Sequence, residues 1–179
     1  MAVLDKYMRY SRTDLLQLRD HHLEIDENLE FSEEDLKQFP RIRKLSEVRA
    51  EISGEYNAQQ QRLYVNIHVS GIMTCPCDIT FEDVDIPFDS VADEIISFDK
   101  ADADDISILK PENGYADLLS TVFRQILVEV PIKVRKPGII DYPKGDGWEV
   151  VSEDTYQKEK SNKIDPRLAV LKDYKPQDE

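Results

Sequence analysis

Alternating apolar and polar side chains in the second quarter of the chain constrain its fold more than any other feature. From position 63 onward, every second residue belongs to one set: Leu63, Val65, Ile67, Val69, Gly71 and Met73. A period of two places these positions on one face of a β-strand. Val48, Ala50 and Ile52 show the same pattern earlier. The polar stretch 57–61 then predicts the turn of a hairpin between the two strands.

Two capping signals predict short helices ahead of this hairpin. Ser11 precedes Asp14 by three positions, and Ser32 precedes Asp35 by three, which is the spacing of a capping box. Apolar residues follow each signal, as expected for a helix that packs on a core. The segment 23–29, between the two signals, predicts a brief strand.

Beyond the hairpin, the sequence predicts further strands and an acidic loop. Alternation resumes over 79–84, and 91–98 is a separate strand candidate. Pro87, between them, is typical of an edge strand or a strand end. Strands that follow one another through short connections favour antiparallel pairing. The acidic stretch 101–105 predicts a loop.

Helical spacing of apolar residues defines the main helix. Its stripe comprises Leu118, Leu119, Val122, Phe123, Ile126, Leu127 and Val130. We predict a helix over 115–130, capped near Asn113 or Asp117 and ended by Pro131. Such a stripe needs a hydrophobic partner, which the sheet supplies. The predicted fold class is therefore α+β, with an antiparallel β-sheet packed against one main amphipathic helix and short N- and C-terminal helices.

A sharply started helix is predicted close to the C-terminus. Asp165 suits an N-cap because its carboxylate accepts from backbone N–H groups of the first turn. Pro166 suits the first helical position, where its missing N–H costs nothing. Leu168 and Leu171 share one apolar face.

A single domain over residues 1–179 is the natural expectation for a chain of this length. Within it, 132–164 should form an exposed loop and connection. Ser152 should open a short helix there, and 158–163 should be a solvated stretch. Residues 165–175 should form a C-terminal helical tail.

Several short motifs resemble one protein family. They are Gly71-Ile72-Met73-Thr74-Cys75, Asp117-Leu118-Leu119 leading into Leu127-Val128-Glu129-Val130-Pro131, Gly147-Trp148-Glu149-Val150, and Asp165-Pro166-Arg167-Leu168-Ala169-Val170-Leu171-Lys172. Together they resemble the YceD family, in the form found in low-GC Gram-positive bacteria. That family is named for accumulation of large-subunit ribosomal RNA. The resemblance implies a ribosome-biogenesis factor that is not an enzyme and needs no cofactor.

The charge balance favours basic partners. The chain carries 37 acidic and 23 basic side chains, for a formal net charge of −14. This balance repels phosphate at long range and attracts cations, although acidity also serves solubility alone. Together with the resemblance, it indicates a basic ribosomal protein or an assembly factor of the large subunit as partner. Ribosomal RNA is the alternative.

The location indicated by the sequence is the cytoplasm. No apolar run reaches the roughly 18 residues of a membrane-spanning helix, and the N-terminal residues lack the pattern of a secretory signal. Two cysteines cannot form a disulfide framework of the kind found in secreted domains. We therefore expect no membrane partner.

The candidate partner-binding residues lie mainly in the tail. They are Asp165, Pro166, Arg167, Leu168, Leu171 and Lys172, together with Trp148. A positive charge in the first turn of a helix is unfavourable by about 0.3–1 kcal/mol, so Arg167 either pairs with an acid of the domain or reaches a partner. Trp148 is the only tryptophan. Core burial is the default for such a residue, and an interface anchor is the alternative.

Cys75 and Cys77 are the weak candidates for a metal site, and they support the alternative of a metal- or redox-linked protein. Zinc sites commonly use four nitrogen or sulfur ligands, and this chain has no second cysteine pair. Other branches of the YceD family carry further cysteines, so a metal role taken from them does not transfer to this chain. Two reduced thiols are the simpler interpretation.

Basic residues cluster in three places but are interleaved with acids. One cluster is Arg41, Arg43, Lys44 and Arg49, a second is Lys133, Arg135, Lys136 and Lys144, and a third lies in the tail. Such density can contact phosphate, yet the interleaved acids favour a solvated mixed-charge face. No catalytic signature accompanies these residues, so we expect no enzyme and no small-molecule substrate.

Overall fold

A four-stranded antiparallel sheet dominates the computed structural model, which describes residues 8–102, 104–138 and 142–162. The chain divides into two units, Met1–Lys136 and Pro137–Glu179. The first unit contains, in chain order, β1 (Arg9–Ser11), α1 (Arg12–Gln17), β2 (His22–Leu29), α2 (Glu33–Leu36), β3 (Lys44–Asn57), β4 (Arg62–Pro76), β5 (Asp83–Ser97), β6 (Tyr115–Asp117) and α3 (Leu118–Val128).

The strand order in the sheet is β2-β3-β4-β5, so each strand pairs with its neighbour in sequence. The register of β4 against β5 is unbroken along all 15 residues of each strand. The register of β3 against β4 shifts once, between Ser46 and Arg49. The predicted hairpin is confirmed, and its turn spans the polar residues between Asn57 and Arg62.

One face of the sheet forms the core. Its buried side chains include Val48, Ala50, Ile52, Leu63, Val65, Ile67, Val69, Met73, Phe88 and Ile96. These residues follow the period-two pattern, so the predicted inner face of β3 and β4 is confirmed. Side chains at the intervening positions lie on the opposite, outer face of the sheet.

Helix α3 lies against β4 and β5 and covers the inner face. Leu118, Val122 and Ile126 of this helix are fully buried. The ring of Phe123 packs against Phe31 and Phe39, with centroids 5.3 and 5.2 Å apart. The structure is therefore an α+β fold with one main amphipathic helix, as the sequence predicts.

The main helix is shorter than the predicted 115–130. Residues Tyr115–Asp117 form β6, which pairs antiparallel with β1, and the backbone N–H of Leu118 donates to the carbonyl of Met8. Helical spacing alone does not reveal this pairing, because the partner strand lies about a hundred residues earlier in the chain. Asp117 caps α3, since its carboxylate accepts from Ser120 N at 2.9 Å.

The two short helices begin as their capping signals predict. Ser11 Oγ accepts from the backbone N–H of Asp14, whose carboxylate accepts from Ser11 N in return. Ser32 and Asp35 form the same reciprocal pair at the start of α2. These bonds satisfy backbone donors that a helix leaves without intrahelical partners.

For two strands predicted around β5, the predicted first and last residues are wrong. Residues 78–80 form a turn in place of the predicted alternating strand, and Phe81 N donates to Cys77 O. The candidate strand 91–98 is the second half of β5, which runs through Pro87 without interruption. Pro87 is tolerated because β5 is an edge strand, as its proline predicts.

The acidic stretch after β5 is tied to the sheet at Asp102. This carboxylate accepts from Arg62 Nε at 2.9 Å and Arg62 Nη2 at 2.8 Å, and Ser97 Oγ also donates to it. These hydrogen bonds to the ionised form lower the pKa of Asp102 to about 2. The prediction of a plain acidic loop missed this anchor.

The second unit contains a small hairpin and a polar helix. Strand β7 (Lys144–Gly145) pairs with β8 (Trp148–Glu149), and α4 spans Glu153–Asn162. The helix predicted to open at Ser152 is therefore present, and it includes most of the stretch predicted as a solvated connection.

The predictions of one domain over 1–179 and of a helical tail at 165–175 stay predictions, because 163–179 lies outside the described residues. No helix in the described ranges is long and apolar enough to cross a bilayer.

Candidate partner-binding surface

The outer face of the sheet carries a group of carboxylates, which we call the acidic face. Its members are Glu24 and Asp26 of β2, Glu51 and Glu55 of β3, and Asp89 and Asp93 of β5. The strand register produces this surface, because residues at alternate positions on neighbouring antiparallel strands project to the same side. Three well-separated sequence segments thus contribute to one negatively charged face.

Arg49 is a cation at one side of this face. Its Nε and Nη2 donate to the two oxygens of Asp26 at 2.8 and 2.7 Å, and Nη2 lies 3.0 Å from Glu51 Oε1. The hydrogen bond from Arg49 lowers the pKa of Asp26. Asp26 therefore stays ionised, and its charge is partly compensated within the face.

His68 occupies the centre of the acidic face, on β4. Its Nε2 lies 3.3 Å from Asp89 Oδ1, and its Nδ1 lies 3.5 Å from Glu51 Oε2. Hydrogen bonds to Asp89 and then to Glu51 raise the pKa of His68. Protonation of this ring would link β3 to β5 through opposite charges.

The acidic face is open and shallow. A depression on it is lined by Glu24, Ile25, Asp26, Glu51, Ile52, Ser53, Asn66 and His68. Small-molecule sites are usually concave and largely enclosed. An open charged surface is better suited to an extended or protein partner of opposite charge.

The tail residues predicted to contact a partner lie outside the described residues. They are Asp165, Pro166, Arg167, Leu168, Leu171 and Lys172, and their role stays a prediction. Trp148, in contrast, lies in β8 and is 57% exposed. Its default assignment to the core is therefore wrong. The indole of Trp148 lies over Gly145 of the same hairpin.

Cys75 and Cys77 are both free and buried. Burial raises the pKa of the Cys75 thiol. Hydrogen bonds from Thr80, and then from the backbone N–H of Lys136, lower the pKa of Cys77 to about 7. Within residues 8–102, 104–138 and 142–162, no three His, Cys, Asp or Glu side chains are grouped to hold a metal. The pair is thus best described as two buried thiols, one of which is stabilised as thiolate by a turn.

The predicted basic cluster around Arg41 is divided by the fold. Arg49 lies on the acidic face, whereas Arg41 and Arg43 lie beside the 78–81 turn. Each of these two is paired with an acid: Arg41 with Asp78 and Arg43 with Asp83. Lys136, which the chain brings to the same turn, pairs with Glu82 at 3.0 Å. This region is a mixed-charge surface, as the interleaved acids indicate.

One exposed aromatic residue on this turn was not found by sequence reasoning. Phe81 is 70% exposed and has φ of 58°, a left-handed conformation that is uncommon for a bulky residue. Arg43 donates to its carbonyl oxygen. The alternation over 79–84 suggested a regular strand, and no local signal marked the turn.

Comparison with known proteins identifies the chain's family. The family model described as "Large ribosomal RNA subunit accumulation protein YceD" matches residues 65–175, which is more than half of the chain. The chain belongs to the YceD family, as its motifs indicate. It is 30% identical over 180 residues to the "Uncharacterized protein YlbN" of Bacillus subtilis (strain 168). That match covers 96% of this chain and 99% of the relative. No solved structure gives a significant match.

Proposed function

We propose that this protein is a cytoplasmic ribosome-biogenesis factor that supports accumulation of large-subunit ribosomal RNA by binding, without catalysing a reaction. The family description supplies the link to ribosomal RNA. The proposed partner is a basic ribosomal protein or an assembly factor of the large subunit. The tail residues 165–172 are a second proposed contact.

The observation that supports this proposal best is the acidic face. It gathers carboxylates from three strands on an open surface, whereas the basic residues near the 78–81 turn are individually neutralised by acids. A surface of this sign repels phosphate and attracts basic polypeptides. The charge distribution therefore favours a protein partner over direct binding of ribosomal RNA.

A binding assay with charge variants tests the role of the acidic face. The variant combines Glu51→Gln, Asp89→Asn and Asp93→Asn, and the probe is a set of purified basic large-subunit ribosomal proteins at several salt concentrations. We expect binding to weaken at least about tenfold and its salt dependence to become shallower. A matched control removes three charges away from the sheet, with Glu30→Gln, Asp104→Asn and Glu112→Gln.

Equal loss of binding in both triple variants would show that net charge, and not this face, determines the affinity.

In cells, deletion of the gene should lower the ratio of large-subunit to small-subunit ribosomal RNA. Normal large-subunit levels in deleted cells would contradict the proposed function itself. Arg167→Ala should reduce co-purification of large-subunit precursors if the tail contributes.

A further inference from the structure

The outer edge of β5 is unpaired over most of its length within the described residues. β5 is the last strand of the sheet, and the residue that bonds to its outer edge is Leu109. Leu109 N donates to Ile95 O at 2.8 Å, and Ser97 N donates to Leu109 O at 2.9 Å. From Asp83 to Glu94, no described residue outside β4 forms a backbone hydrogen bond with β5. A row of backbone donors and acceptors is thus open to a further strand.

The bonds to Leu109 identify which backbone groups point outward. Ile95 and Ser97 direct their backbone groups away from β4, and outward groups recur at every second residue of an antiparallel strand. Because the register of β5 against β4 is unbroken, the backbone groups at every second residue before Ile95 also point away from β4. The outward positions are therefore Asp93, Val91 and Asp89, and before them Pro87. Proline has no N–H, and at position 87 an N–H would point away from β4, so no hydrogen bond of the sheet is lost.

The side chains at these outward positions form an acid–apolar–acid pattern. Val91 is 61% exposed and lies between Asp89, which is 72% exposed, and Asp93 on the outer face. Asp93 accepts one hydrogen bond from Asn66 at 2.8 Å, and Asp89 contacts His68. Each carboxylate has about four acceptor positions, so both keep acceptors for a further cation.

A second copy of this chain is a poor occupant of the edge. Antiparallel pairing of two β5 strands centred on Val91 would place Asp89 of each chain opposite Asp93 of the other. Like charges directly opposite one another destabilise a strand pair. The same charges attract a strand that carries lysine or arginine, so the edge discriminates by charge between a self-contact and a basic partner.

We propose that β5 binds an extended segment of a basic partner as a fifth strand along residues 89–93. Lysine or arginine residues of the segment would lie opposite Asp89 and Asp93, with an apolar residue opposite Val91. Backbone hydrogen bonds provide affinity in this mode, and alternate side chains provide specificity. The inference rests on the proposed function and specifies how its partner binds.

A synthetic nine-residue peptide tests this mode directly. It is acetylated and amidated, and its central five residues are lysine, serine, valine, serine and lysine. We expect it to bind the full chain and to slow hydrogen exchange at the amides of Asp89, Val91 and Asp93. Binding without slower exchange at these amides, or no binding, would overturn the proposal. Slower exchange at high protein concentration without peptide would also overturn it, because a second copy would then occupy the edge.

The variant Val91→Pro removes one outward N–H without removing a hydrogen bond of the sheet, so the fold should be retained. We expect this variant to bind the peptide about tenfold more weakly. The matched control Val91→Ala keeps the N–H and should bind within about threefold of the unmodified chain. Equal binding by the proline and alanine variants would contradict strand addition.

Val91→Pro and the triple charge variant together separate this inference from the proposed function. If Val91→Pro binds ribosomal proteins normally while the triple charge variant does not, the acidic face acts without strand addition and only this inference fails. If neither variant affects binding of ribosomal proteins, the acidic face is not the contact surface, and both this inference and the proposed role of that face fail. The proposed function itself fails only if large-subunit levels are normal in cells that lack the gene.

Discussion

Gly71 lies directly opposite Phe88 across the β4–β5 pair, on the buried face of the sheet. A Cβ atom at position 71 would lie 3.0 Å from Phe88 Cζ and 3.1 Å from the Cα of Val48. The aromatic ring therefore occupies space that any other residue at position 71 would need. This relationship gives a packing reason for the glycine in the Gly71–Cys75 motif.

Gly71→Ala should destabilise the fold by about 1–3 kcal/mol, because the added methyl group overpacks the core. Urea unfolding measures the change. Ser70→Ala, on the outer face, is the control and should change stability by less than about 0.5 kcal/mol. Combining Gly71→Ala with Phe88→Leu should cost less than the sum of the two single changes, since the smaller side chain relieves one of the close contacts. Simple additivity would show that the ring is not the obstacle.

Asp102 should stabilise the fold in a pH-dependent manner. Its pKa is lowered to about 2 by Arg62 and Ser97, so it contributes stability above its unfolded pKa of about 3.9. This contribution is lost as pH falls through about 2. The difference in unfolding free energy between the unmodified chain and Asp102→Asn should therefore be full at pH 6 and shrink between pH 4 and pH 2.

Urea titrations at several pH values measure this difference. Asp104→Asn, at an exposed position in the same stretch, is the control. A difference that does not change with pH would indicate that Asp102 acts through shape and not through charge.

His68 should titrate above the ordinary histidine value of about 6.5. Asp89 and then Glu51 raise its pKa, so the charged ring adds stability below about pH 6.5 and loses it as pH rises through the folded pKa. Proton NMR of the ring measures the midpoint. Asp89→Asn should lower the midpoint more than Glu51→Gln, and Asp93→Asn, which removes a carboxylate without a contact to the ring, should lower it least. A midpoint at or below 6.5 in the unmodified chain would contradict the geometry.

The two buried thiols should influence stability in opposite directions as pH rises. The pKa of Cys77 is lowered to about 7, so the folded state binds fewer protons than the unfolded state between about pH 7 and the ordinary thiol value of about 8.5. Relative to Cys77→Ser, the unmodified chain should gain stability over this range. Denaturant unfolding under reducing conditions measures the gain.

Cys75 provides the matched comparison for this experiment. Burial raises its pKa, so the unmodified chain should lose stability relative to Cys75→Ser as pH rises above about 8.5. Parallel slopes for the two serine variants would show that the 78–81 turn does not stabilise a Cys77 thiolate.

Local patterns predicted most of the fold because each of them involves few neighbouring residues. The capping pairs at Ser11 and Ser32 and the alternation from Leu63 to Met73 depend on short-range geometry, and all three are confirmed. The pairing of β1 with β6 and the anchoring of Asp102 by Arg62 join segments far apart in sequence. No pattern within one segment specifies such a partner.

The candidate surface depended on register, which the sequence only partly determines. The alternation from Leu63 to Met73 predicted which side chains of β4 share the inner face, but it did not predict the alignment of β4 with β5. Without that alignment, Asp89 and Asp93 could not be placed beside Glu51. The left-handed turn at Phe81 also interrupted a pattern that resembled a regular strand.

The order of elements along the chain has a consequence for synthesis on the ribosome. All four strands of the main sheet have been made once Ser97 is joined, whereas α3 ends only at Val128. At elongation rates of about 5–20 residues per second, synthesis of Val128 follows that of Ser97 by roughly two to six seconds. The apolar face of the sheet lacks its main covering helix during this time. During that interval the nascent chain exposes apolar surface, and chaperones that act during translation bind surfaces of this kind.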